Sequence, residues 1–157
     1  MKIATLSLAA LLLVGVTANA QTPRPAPPVS STITVPISGT AAEAKTGLAE
    51  PITFSGSLVV TSVVSTDPAL GPGAVVSIDG RAIKGTGEKS AKVYVTECEA
   101  NLTRRFAATD SIKMTFPFFE DAQGSYMNAR TGLLTLTLTY NLKTMVLTKV
   151  TASAGTL

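Results

Sequence analysis

The sequence predicts an all-β protein, a single antiparallel β-sandwich of about seven short strands behind a cleaved signal peptide. Three observations predict it. Apolar and polar residues alternate with a period of two in several segments, most clearly in residues 134–140 (LTLTLTY). Gly, Pro and Asp punctuate the chain between these segments at short intervals. No stretch of ten or more residues in the mature chain repeats with the 3.6-residue period of an amphipathic helix. The chain has 157 residues, which suits one domain.

The N-terminus is an address. Lys2 precedes the apolar run of residues 3–16, and Ala18 and Ala20 place small residues at the −3 and −1 positions of a cleavage site after Ala20. The run is shorter than the ~20 residues a spanning helix needs, so the mature chain is expected to carry no transmembrane segment and to be secreted or periplasmic. Residues 21–30 (QTPRPAPPVS) hold four prolines and form an extended spacer, leaving residues 31–157 as the sandwich domain.

Within that domain, residues 31–38 (STITVPIS) place Ile33, Val35 and Ile37 on one face, but Pro36 removes a ladder donor and restricts the segment to an edge. Residues 39–50 are Ala-rich and fit a helical turn or a loop equally well. Residues 52–65 are rich in β-branched side chains, with Gly56 marking a bulge. Residues 74–78 and 81–84, joined by Asp79-Gly80, predict a type I′ hairpin, because both residues tolerate its positive φ angles. Residues 92–99 (KVYVTECE), 111–116 (SIKMTF), 134–140 and 145–151 supply the remaining strands, the last two joined by residues 141–144.

Composition excludes much chemistry. There is no His, so neither Ser-His-Asp nor Cys-His activation nor an imidazole metal ligand is available. The single Cys98 forms no intrachain disulfide, and Glu97 and Glu99 beside it raise rather than lower its pKa, so a buried, inert thiol is expected. No catalytic residue, cofactor or metal site is assigned; Asp121 and Asn128 match no EF-type calcium loop. The net charge of +3, part of it from Lys2, is too dilute for nucleic acid. Arg81, Lys84, Lys89, Lys92, Arg104 and Arg105 instead suit solvated strand faces that discourage edge pairing. Three Tyr, five Phe and no Trp are too few for the aromatic girdles of an outer-membrane barrel.

Several motifs reduce to their ordinary readings. Residues 85–90 (GTGEKS) resemble a phosphate loop, but Glu88 stands between Gly87 and Lys89, where the Walker pattern needs Lys directly after Gly, so the stretch is expected to be a turn. Lys45-Thr46-Gly47 matches a β-lactamase element without its S-x-x-K companion. Asn101-Leu102-Thr103 is a glycosylation sequon, relevant only in a source that glycosylates. Glu97 and Glu99, two apart on a strand, would stand about 6–7 Å apart on one face, near the glycosidase separation.

The most site-like segment is residues 116–132, expected to form a long irregular loop. Phe118, Phe119, Tyr126 and Met127 make it a ligand- or partner-binding patch, weighed against a cap on the sandwich core. The expected function is non-catalytic binding or assembly, with self-association or a cell-surface partner implied. Two alternatives remain at this level. One is a pilin-like fibre subunit donating residues 31–38 to a neighbour's sheet edge. The other is a small secreted hydrolase using Glu97, Glu99 or Asp110 as acid and base.

Overall fold

A computed structural model describes residues 26–42, 47, 50–121 and 128–155. The expected signal peptide, residues 21–25 of the expected spacer, Lys45, Thr46, Tyr126 and Met127 lie outside them. The described chain is all-β. It has nine strands: β1 (Val29–Ala41), β2 (Ile52–Asp67), β3 (Gly71–Asp79), β4 (Lys84–Gly87), β5 (Val93–Thr96), β6 (Glu99–Arg105), β7 (Thr109–Glu120), β8 (Arg130–Tyr140) and β9 (Leu147–Gly155). All ladders are antiparallel. They form one hydrogen-bonded path in the order β6-β3-β2-β4-β5-β7-β8-β9, with β1 on the other edge of β2.

The period-two patterns decide which side chains enter the core. Ile52, Phe54, Leu58, Val60 and Val64 of β2 point inward, as do Leu134, Leu136, Leu138 and Tyr140 of β8, while most of the interleaved Thr, Ser and Val residues stay at least partly exposed. Val35, Ile37 and Ala41 complete the core from β1. Phe54 meets Phe116 and Phe118 edge-to-face, with ring centroids 5.5 and 5.1 Å apart. The inward polar residue of β2, Ser62, shares a 3.0 Å hydrogen bond with the Tyr140 hydroxyl, so neither buried oxygen is orphaned.

The expected hairpin at Asp79-Gly80 does not form. β3 and β4 both pair with the same edge of β2, Asp79 opposite Val59 and Lys84 opposite Ser55, so they are one line interrupted by a jog at residues 80–83. Tertiary contacts outweigh the local turn preference here. The Asp79 carboxylate accepts the Arg81 N–H (3.1 Å), Gly80 N–H donates to the Cys98 carbonyl (2.7 Å), and Ile83 drops fully into the core. The Thr96 hydroxyl covers the carbonyls of Gly80 (3.2 Å) and Ile83 (3.0 Å). Opposite the jog, Gly56 takes φ +136°, and a Cβ there would lie 2.3 Å from the Ala82 carbonyl oxygen. The β1–β2 register runs through Gly56 without a slip, so the expected bulge is replaced by this close approach. A register shift occurs instead at Thr139/Tyr140.

The segment 92–99 divides in the same way, into β5 and β6 with a bend at 97–98. Below the bend β5 pairs with β7 (Thr96 opposite Phe118), and above it β6 stays with β3. On the far side β1 runs beside β9 without a ladder. They touch at Gly39, where a Cβ would fall 1.7 Å from the Ala154 carbonyl oxygen, and at Ser31, whose hydroxyl accepts the Leu147 N–H (3.0 Å). No helix among the described residues is long and apolar enough to cross a membrane.

Candidate binding cleft

The long loop expected over residues 116–132 is shorter than the sequence suggests. β7 continues through Phe116, Pro117, Phe118 and Phe119 to Glu120, and β8 begins at Arg130. Pro117 is tolerated because β7 has a partner on only one edge before Phe118; its carbonyl accepts the Glu97 N–H at 3.1 Å. Successive side chains on a strand face opposite ways, so the two phenylalanines part. Phe118 is wholly enclosed, edge-to-face with Phe54 and with Tyr94 (6.0 Å), and presents no ring to a partner. Phe119 is only 8% exposed, yet it lines a surface cleft.

That cleft has a volume of about 570 Å³ and is lined by Arg81, Val95, Thr96, Glu97, Glu99 and Phe119. Each element places a member. The β5–β7 ladder sets Val95 opposite Phe119, the jog at 80–83 delivers Arg81, and the bend at 97–98 delivers Glu97 and Glu99. The two carboxylates line one cleft, with Cys98 turned inward between them, but they do not stand on one strand as expected: β5 stops at Thr96 and β6 begins at Glu99.

The electrostatics tie most of these groups down. The Arg81 guanidinium bonds Asp79 (2.7 Å) and Glu99 (2.9 Å). Its hydrogen bond holds the Asp79 carboxyl at about 2, and the two carboxylates raise Arg81 in turn. Asp110 accepts two bonds from Arg104 (2.8 and 2.7 Å), which hold its carboxyl below the usual range, opposite to what a proton donor needs. Burial, then the Asp79 charge, push the Cys98 thiol up to about 11. Among the described residues no three acidic or Cys side chains gather as a metal would require. Counting Asp79, which bonds Arg81 from outside the lining, three carboxylates stand against one guanidinium around a cleft walled on one side by a phenyl ring, an acidic balance.

Sequence reasoning missed one site altogether. In the GTGEKS stretch Glu88 does not occupy the phosphate position; it accepts a hydrogen bond from Thr53 (2.9 Å) on β2. The position is filled by Glu50, whose Oε2 accepts the backbone N–H groups of Lys89 (2.6 Å) and Ser90 (2.8 Å) and whose Oε1 accepts the Ser90 hydroxyl. The two partners are about forty residues apart in sequence, so only the Gly-rich composition of the turn hinted at an anion. Comparison with protein-family models, curated proteins and solved structures finds no match to this chain.

Proposed function

We propose that the mature protein works outside the cytoplasm, secreted or periplasmic, by binding or assembly rather than by catalysis. The observation that carries the reading is a pair of open backbone edges. Among the described residues β6 forms a ladder only with β3, and β7 only with β8 until Phe118, so each strand presents a backbone edge without a ladder partner. An extended polypeptide, from a second copy or a cell-surface partner, gains main-chain hydrogen bonds by adding there. Charge guards the same edges against indiscriminate pairing: Arg104 and Arg105 stand on β6, Lys113 on β7, and the Arg104 guanidinium also reaches the Ser111 carbonyl (3.4 Å). Such guarding suits a selective partner.

The candidate acid–base groups support the non-catalytic half of the reading, because Glu99 and Asp110 are engaged by arginines. Light scattering coupled to size exclusion on residues 21–157 tests the assembly half. Concentration-dependent association that survives reductant supports edge pairing. A strict monomer that also captures no extended peptide overturns it. N-terminal sequencing of exported protein should begin at Gln21; an intact Met1 refutes the cleavage. The pilin-like alternative would need residues 31–38 to leave the thirteen-residue ladder they help form with β2, exchanging it for a neighbour's. A hydrolase would reveal itself by glycan or ester turnover lost in Glu97→Gln.

A further inference from the structure

The turn joining β4 to β5 is built around a negative charge. Gly87 N–H bonds the Lys92 carbonyl (2.9 Å), Ala91 N–H bonds the Gly87 carbonyl (3.0 Å), and Ala91 takes the left-handed conformation at φ 56°. This leaves the N–H groups of Lys89 and Ser90 side by side, aimed at one point, the arrangement by which backbone nests hold anions. The Ser90 hydroxyl adds a third donor. Gly87 makes the room: a Cβ there would lie 2.5 Å from Glu50 Oε1 and 2.7 Å from its Cδ. The carboxylate thus rests directly on backbone, only 7% of its residue exposed, and every donor converges on it. The charged and titratable groups around it are Lys89 and Lys92, with Glu88 turned aside to Thr53, Glu120 bound to Lys92 (3.0 Å), and Tyr94, whose hydroxyl is raised by burial and then by the Glu50 charge.

The turn is closed by its own backbone bonds, and Glu88 N–H is separately anchored to the Pro51 carbonyl (3.1 Å). We propose that the turn between β4 and β5 is a carboxylate-binding site in its own right, occupied in cis by Glu50, and that it takes a free small carboxylate when that side chain is shortened. A carboxylate is the fitting class because the two N–H groups meet one oxygen while the hydroxyl meets the other, a fork that a monatomic anion such as chloride cannot fill.

The test is chemical rescue of Glu50→Ala in the full mature chain. Its melting temperature is measured in sodium acetate and in sodium chloride of equal ionic strength, with the wild-type protein as reference. An acetate Kd of about 100 mM predicts a gain of about 4 °C at about 0.5 M acetate, growing with the logarithm of concentration, seen in the variant and absent from the wild type. The amide signals of Lys89 and Ser90 should move with it. Adding Gly87→Ala should remove the gain, since its methyl takes the carboxylate's place. Equal effects of acetate and chloride, or amide signals of Lys89 and Ser90 that stay still, overturn the proposal. Should Glu50→Ala fail to fold, the wild type carries the test: Lys89 and Ser90 amide shifts titrating together, with a midpoint below the usual glutamate range, support the site. A midpoint at the ordinary value overturns it.

Discussion

Replacing Phe118 with Ala separates a core role from a surface patch. The ring is wholly enclosed and lies edge-to-face with Phe54 (5.1 Å, 82°) and Tyr94 (6.0 Å, 76°), with Phe116 tilted at 6.5 Å. Truncating a core phenylalanine costs about 3–5 kcal/mol, and edge-to-face partners place this one in the upper half of that range. Taking about 4 kcal/mol and an unfolding entropy of about 2.1 cal/mol/K for each of roughly 120 described residues, Tm falls by about 16 °C. Phe119→Ala should cost less, because that ring borders the cleft and is 8% exposed where Phe118 is wholly enclosed. Thermal melts followed by circular dichroism, repeated in urea, measure both. A drop under about 5 °C for Phe118→Ala, or a larger loss for Phe119→Ala, would refute the placement of the two rings.

Three further outcomes are expected. Gly39→Ala drives a methyl into the backbone at Ala154, 1.7 Å from its oxygen, and should cost about 1–3 kcal/mol; Gly155→Ala, with nothing within 4 Å, is the neutral control, and equal melts for the two variants would dismiss the β1–β9 contact. Acid should weaken the fold. Asp79 (about 2, from 3.8), Asp110, Asp67 and Glu50 all release their protons more readily when folded. The unfolded chain therefore binds more protons in this window, so their stabilisation is whole above about pH 4.5 and fades as pH falls toward 2. Urea midpoints at pH 5, 3.5 and 2.5 should decline, less steeply in Asp79→Asn; a constant midpoint refutes the assignment. Cys98, enclosed and with its thiol held near 11, should react with Ellman's reagent at pH 8 only as fast as the protein opens, and prompt stoichiometric labelling would contradict its burial.

The sequence by itself determined the inward face of several strands. Leu134, Leu136, Leu138 and Tyr140, and likewise Ile33, Val35 and Ile37, read off a period of two that every extended backbone obeys, and that information is local. The absence of His and the single Cys likewise remove whole classes of chemistry. Only the tertiary structure decided which strands meet. Asp79-Gly80 is as good a hairpin turn as a sequence offers, yet the buried Ile83 and the bonds to Cys98 and Thr96 make it a jog along β2. Glu97 and Glu99 would share a face on one strand, but the departure of β5 to β7 and β6 to β3 bends the chain between them. The carboxylate in the β4–β5 turn arrives from Glu50, a residue that no spacing rule connects to Ser90. Each of these outcomes turns on pairing between distant segments. Such pairing is chosen by burying one common core and satisfying its polar groups, a condition on the whole chain that no local window contains.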